Sequence, residues 1–368
     1  MLSHVSHDAA PGDLVHVYNK EGQSFGSGFY NPRAKVPLRV LSHGTTPLTE
    51  STLDEWLLRA IRLRKDRAQI HQHTNAFRLF NSDGDGISGL IVEQFNDVLI
   101  IQVTTLGVWL RTSRWLKLLT QELQTKSHII TVDPDIAHIE QIRLSDVPEA
   151  TQPTPPRVQI TENQIRYEID FQTSHKTGFF CDQRDNRKQL GQLAFGSVLD
   201  ICCYTGGFAI NAAMNPNVTD VTAVDLDEKA IATAKRNANL NQKRISWIHA
   251  DSFTWMRQMI KNAAQWDTVI LDPPKLIHSR DQHEEGLFKY RDMNTLAIQL
   301  VKPGGLFVTC SCSGLLSAEE FELSVIGSAH RQQRKLQIID RSGAGIDHPQ
   351  LSNCPESRYL KVIWAQVF

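Results

Sequence analysis

Hydrophobic and polar positions change their spacing several times along this chain. Between residues 13 and 43 the runs DLVHVYN, SFGSGFYN and VPLRVL are separated by the turn-forming KEGQ and by prolines, which predicts a small β module. Ser51-Thr52 then open a stretch with Leu57, Ile61 and Ala68 at helical spacing. Arg59, Arg62, Arg64, Lys65 and Arg67 interleave with them, so a helix with one basic, solvated side is expected. Strand patterns resume at GLIVEQFN and DVLIIQVT around Asn96-Asp97, making 78–104 a hairpin, and a second α+β unit ends near Leu144. The stretch SDVPEATQPTPP is polar, proline-rich and aperiodic, the composition of a linker. Beyond about residue 194, strands and helices alternate: SVLDICC, GFAINAAM, VTAVDL, EKAIATAKRNANL, ISWIHA, FTWMRQMI, DTVILD, a long helix ending before Pro303, and GLFVTCS. That alternation predicts a parallel sheet covered on both faces.

Composition narrows the class. At roughly 150 residues per domain, 368 residues imply two or three domains. The expected division is a shortened β module over 1–48, an α+β domain over 49–150 and an α/β domain over 151–368. Thirty-nine Lys and Arg against forty Asp and Glu exclude a global basic field and leave room only for local basic faces. The first 14 residues lack a basic start followed by an apolar stretch, and no apolar run approaches the roughly 18 residues of a membrane span. A cytoplasmic protein is expected. Cys181, Cys202, Cys203, Cys310, Cys312 and Cys354 show no C-x-x-C pair, so free thiols are expected and no metal site.

In open parallel sheets the ligand crevice lies beyond the carboxyl ends of the strands. The first strand of the alternating region runs into Asp200-Ile201-Cys202-Cys203-Tyr204-Thr205-Gly206-Gly207-Phe208, where two glycines would let a ligand approach the backbone at a helix N-terminus. The second ends in Asp225, suited to accept from both ribose hydroxyls of a nucleoside, while Asp227 reads as a helix cap. Asp251 ends the third, suited to an adenine amino group, to capping, or to both. Asp272-Pro273-Pro274-Lys275 ends the fourth, a rigid extended step whose carboxylate and carbonyls suit the edge of a planar amine. Together these strand ends resemble the S-adenosylmethionine crevice of a class I methyltransferase, with Cys203, Tyr204, Gly206, Asp225 and Asp251 as cofactor contacts. The glycine spacing is not G-x-G-x-x-G, which sets a nicotinamide oxidoreductase last.

The fifth strand ends in Thr309-Cys310-Ser311-Cys312-Ser313-Gly314, beside the D-P-P loop. Cys310 and Cys312 share a face by alternation; Cys312 is nearer the strand end, Cys310 one pair deeper and expected in the core. A thiol suits methylation at C5 of a pyrimidine, because thiolate addition at C6 makes C5 nucleophilic. Asp272 would hold the cytosine N3/N4 edge meanwhile.

The segments HKTGFFCDQRDNR (175–187), YTGGFA (204–209), LDPPK (271–275), KYRDMNTLAIQL (289–300), SCSG (311–314) and HPQLSNCPESRYLK (348–361) resemble the ribosomal RNA large subunit methyltransferase I family, which makes 5-methylcytosine in 23S rRNA. SDGDGISGLIVEQFN (82–96) is similar to that family's central-domain signature. The resemblance implies an α/β class I methyltransferase Rossmann-like domain at the C-terminus, preceded by a small PUA-like β module and an α+β central domain. It implies S-adenosylmethionine as cofactor, Cys312 as nucleophile with Asp272, and Gln183 as a further cofactor contact. Arg184 or Arg187 would reach phosphate or close the site; on residue type alone they form, with Lys176 and Lys188, a mildly basic loop. Related RNA enzymes often carry a second cysteine where Lys275 stands here. The implied partner is large-subunit ribosomal RNA, with a homodimer left open and no membrane. The rival readings are a base-nitrogen RNA methyltransferase of the same fold and a non-catalytic RNA-binding assembly factor.

Overall fold

The computed structural model describes residues 4–153, 155–171 and 178–368, which fall into two units. One comprises the chain up to Val158 together with Ile346–Pro355; the other comprises Gln159–Gly345 and Glu356–Phe368.

In the first unit, β1 (Leu14–Tyr18), β2 (Ser24–Tyr30) and β3 (Leu38–His43) form an antiparallel sheet. Helix α1 (Glu50–Arg62) starts at a Thr49 capping box and buries Leu53 and Leu57. It continues into a wider π-helical turn over Leu63–Arg67. Then come β4 (Ala76–Asn81), β5 (Leu90–Phe95), β6 (Val98–Val103), α2 (Leu106–Trp109), α3 (Thr112–Leu123), β7 (Ser127–Val132) and α4 (Pro134–Glu140), the four strands pairing in chain order. The expected hairpin is β5–β6, and Asn96 takes the positive φ its turn requires. The buried Glu140 carboxylate ties the three-stranded sheet to the rest, accepting from Asn31 (3.0 Å), Arg39 (3.1 Å) and the Leu106 backbone (3.1 Å).

Two expectations change here. Arg64 does not face solvent: it is fully buried and donates to both oxygens of Asp85 at 2.7 Å. The π turn shifts the helical phase and carries that side chain inward. Secondly, Ile346–Pro355 packs in this unit instead of continuing the C-terminal domain. Arg64 donates to the Asp347 carbonyl (2.7 Å), Arg78 N–H to the Asp347 carboxylate (3.0 Å) and Asn81 to the Pro349 carbonyl (3.0 Å). The linker's first half is likewise anchored, with Val147 in the core and Ser113 donating to Glu149.

The chain passes into the second unit within the hairpin β8 (Arg157–Glu162) and β9 (Ile165–Asp170), which the pattern reading did not anticipate. There follow α5 (Arg184–Leu193), β10 (Gly196–Ile201), α6 (Gly207–Met214), β11 (Val218–Asp225), α7 (Glu228–Leu240), β12 (Ser246–His249), α8 (Ser252–Lys261) and β13 (Trp266–Leu271). The last elements are α9 (His283–Gln299), β14 (Val301–Ser311), α10 (Ala318–Arg331), β15 (Leu336–Ser342) and β16 (Lys361–Val367). The sheet order is β12-β11-β10-β13-β14-β16-β15. It is parallel except for β16, which lies antiparallel between β14 and β15. The order reverses direction between β10 and β13, which is where an open sheet of this kind binds its ligand.

Candidate active site

Strand β10 ends at Ile201, sooner than its apolar run suggests, because Cys202 and Tyr204 adopt left-handed backbone (φ 64° and 47°) and turn the chain toward α6. Gly206 completes that turn at φ 85°. A Cβ there would lie 2.6 Å from Trp247, and one at Gly207 would lie 2.9 Å from Arg187. Both glycines are therefore required by packing within the protein, a different reason from the close ligand approach expected of them. Cys203 is buried in this turn, which pushes its thiol well above the ordinary value. The ring of Tyr204 sits 5.1 Å from that of Phe180.

At the end of β11, the half-buried Asp225 carboxylate accepts from Tyr204 N–H at 2.7 Å and from Asp227 N–H at 2.9 Å, linking two crevice loops. Asp227 caps α7, accepting from Lys229 and Ala230 N–H as its position suggested. Asp251 caps α8 through Thr254 N–H and hydroxyl and stays exposed. Beneath them lies Asp200, one oxygen accepting from Ala209 N–H at 2.9 Å and the other buried without a hydrogen-bond partner among the described residues. Burial, followed by the charges of Asp272 and Asp225, pushes its pKa up to about 8. The orphaned Asp200 oxygen, with the carboxyls of Asp272 and Asp225 near it, makes a site for a cation. S-adenosylmethionine, with its ammonium and sulfonium, fits this chemistry.

Across the switch point, Leu271 pairs with Thr309, so Asp272 lies level with Cys310. Gln183 donates to Asp272 at 3.1 Å and accepts from Asn186 at 2.6 Å, so its amide is engaged by the protein at both ends. Burial and then Asp182 push the Asp272 carboxyl up to about 7, against the opposing hydrogen bonds of Gln183 and Cys310. Cys310 is fully buried, and burial raises its thiol pKa strongly. Cys312 lies one residue beyond β14 and is half-buried, and both sulfurs pack on the same apolar cluster, as their alternation implies. Lys275 is exposed at the end of the D-P-P step.

Neither expected phosphate-reaching arginine is available for that role. Arg187 donates to both Glu162 oxygens at 2.7 Å, lies over the Phe179 ring at 4.5 Å and is buried. Arg184 is buried as well, with Asp185 as an ion-pair partner at 3.3 Å. Lys176 lies outside the described residues. Sequence reasoning gave no role to Ser313, which bonds the segment after the D-P-P step, or to Lys361, which bonds the loop around Cys312; the signal for Lys361 was a lysine opening the apolar run KVIWAQV. Among the described residues no three His, Cys, Asp or Glu side chains are arranged to hold a metal, and no helix is long and apolar enough to cross a membrane.

Residues 149–356 match the S-adenosylmethionine-dependent methyltransferase family, and residues 1–43 match a PUA-like domain. The chain is 32% identical to ribosomal RNA large subunit methyltransferase I of Alteromonas mediterranea, over 97% of this chain and 90% of that protein. It is 31% identical to the protein of the same name from Pseudoalteromonas atlantica, over 97% and 91%. In fold it is similar to SMU.776, crystallised in complex with SAH (TM-score 0.80, 20% identity, 98% of this chain and 93% of that chain).

Proposed function

The chain belongs to the ribosomal RNA large subunit methyltransferase I family of S-adenosylmethionine-dependent enzymes, and from that premise we propose that it methylates C5 of a cytosine in large-subunit ribosomal RNA with Cys312 as nucleophile. The observation that carries this reading is the neighbouring of the D-P-P carboxyl and a cysteine-bearing strand end at the switch point.

S-adenosylmethionine, when bound, supplies an electrophilic methyl group. Asp225 would hold its ribose, Asp251 its adenine end, and Cys203, Tyr204 and Gly206 the turn against which it lies, with Gln183 on the side of Asp272. The target base is flipped out of its stack to reach the crevice. The Cys312 thiolate adds to C6, forming an S–C6 bond while the C5–C6 π pair moves to C5 and takes the methyl group, whose bond to the sulfonium sulfur breaks to leave a neutral thioether. A base then removes the C5 proton, the pair re-forms the double bond, and the S–C6 bond breaks to return the thiolate. Asp272 holds the N3/N4 edge throughout. With its pKa pushed up to about 7, it carries a proton in part of the population near neutral pH and shares it with N3 as the ring gains charge.

RNA carrying 5-fluorocytosine at the target tests the chemistry, because fluorine cannot leave as a cation. The expected result is a denaturation-resistant, S-adenosylmethionine-dependent adduct that peptide mass spectrometry maps to Cys312. Normal methylation of ordinary RNA with no adduct on the fluorinated RNA overturns the C6 route in favour of nitrogen methylation. An adduct on Cys310 reassigns the nucleophile.

A further inference from the structure

The loop that follows β14 is held by a cation that, among the described residues, has no acidic partner in hydrogen-bond contact. Lys361, the first residue of β16, pairs in register with Ser311 and is nearly fully buried. Its ammonium donates to the carbonyls of Ser313 (2.6 Å), Leu316 (2.8 Å) and Tyr359 (2.9 Å). All three N–H bonds of the protonated amine are thereby used, and each acceptor is neutral. Ser313 is the second half of the device. Its hydroxyl accepts from the backbone N–H groups of Leu276 (3.3 Å) and Ile277 (3.2 Å), just past Asp272-Pro273-Pro274-Lys275, and pairs with the Tyr290 hydroxyl at 2.9 Å. One residue thus carries a bond from the Cys312 loop to the D-P-P segment through its side chain and a bond to Lys361 through its carbonyl. Tyr359, two residues before Lys361, extends the network by donating to the Asp182 carboxylate at 2.6 Å.

Fastening the loop in this way buries an ammonium at the cost of its desolvation and places it against the residue that follows Cys312. We propose that Lys361 and Ser313 are positioning residues that hold the Cys312 loop against the D-P-P segment, and that the Lys361 ammonium is the positive charge under which the Cys312 thiol gives up its proton to solvent. This rests on the reading of Cys312 as nucleophile.

The charged and titratable groups around the pair are Cys312 itself, Arg358 before β16, Glu320 on α10 with His283 against it, Tyr290 on α9 and Cys310 on β14. Burial lowers the Lys361 pKa to about 8, while Cys312 and Glu320 raise it and Arg358 lowers it. At neutral pH the amine therefore stays mostly charged.

The test measures Cys312 directly in the full-length free enzyme, by iodoacetamide alkylation across pH with peptide mass spectrometry, alongside methyl transfer to large-subunit ribosomal RNA. Lys361→Met should move the alkylation midpoint up by about one pH unit, slowing modification at pH 7 about tenfold. Lys361→Arg keeps the charge and should leave the midpoint near wild type while still slowing methyl transfer, because a planar fork cannot meet three converging carbonyls. A folded Lys361→Met protein with a wild-type midpoint overturns the proposal. If that variant does not fold, Ser313→Ala decides: a fall in kcat of about tenfold, at unchanged KM for S-adenosylmethionine, supports positioning, and a wild-type kcat refutes it. Should Cys312→Ala itself retain methyl transfer, the nucleophile assignment fails independently of these variants.

Discussion

The two sides of the crevice are built by different means. On the side of β10, β11 and β12, the carboxylates accept from backbone N–H groups of the turns they introduce: Asp227 from Lys229 and Ala230, Asp251 from Thr254, Asp200 from Ala209. On the side of β13 and β14, the bonds are mostly between side chains, or from side chain to backbone, and join distant parts of the chain. Gln183 reaches Asp272, Tyr359 reaches Asp182, and Lys361 reaches Ser313. A nucleoside pocket needs shape and a few fixed acceptors, which local turns provide. A reacting pair needs its separation set to a fraction of an ångström, and long-range bonds into rigid strands provide that.

The contrast predicts unequal losses. Cys312→Ala should reduce methyl transfer by about three orders of magnitude or more, on the order of 4 kcal/mol in barrier, with cofactor affinity preserved. Cys310→Ala should lower activity far less, through lost packing and the lost hydrogen bond to Asp272, with about 1–2 kcal/mol of stability lost. Single-turnover assays and calorimetry separate the two, and equal residual activity would break the assignment. On the other side, Asp225→Ala should weaken S-adenosylmethionine binding roughly 10- to 150-fold, the loss of charge-assisted hydrogen bonds of about 1.5–3 kcal/mol. Unchanged affinity in titration calorimetry removes Asp225 from the pocket.

Smaller effects sharpen the electrostatics. Asp200 and Asp272 have folded-state pKa values of about 8 and about 7, raised above the ordinary carboxyl value of 3.8. The folded protein therefore binds more protons than the unfolded chain between those limits, and these groups reduce stability as pH rises from about 4 to about 8. Asp272→Asn should melt a few degrees above wild type at pH 8.5, by about 2–4 °C for each kcal/mol, and converge with it near pH 4. A constant offset across pH would show that the carboxyl is not the source. Asp227→Ala, smallest of all, should cost about 1 kcal/mol of stability as a lost helix cap, with cofactor affinity changed by less than about threefold.

Legibility followed the same division. The caps at Asp227 and Asp251, the strand-end position of Asp225 and the extent of α7 were readable because a turn and its cap lie within a few residues of one another. The burial of Arg64, Arg184 and Arg187 was not legible for the opposite reason: Arg64 and Arg187 hold Asp85 and Glu162, carboxylates more than 20 positions away. No local pattern distinguishes a solvated arginine from one that is buried and paired.

By itself the sequence determined the alternation of strand and helix, the acidic strand ends, the D-P-P step and the cysteines beyond it, because periodicity and capping are properties of neighbouring residues. Only the tertiary structure decided that β16 runs antiparallel between β14 and β15, that Gly206 is required by Trp247, and that Lys361 and Ser313 converge on the loop bearing Cys312. Those outcomes depend on which strands pair and in what register. Such pairing is settled by the burial of whole faces at once, which no single segment encodes.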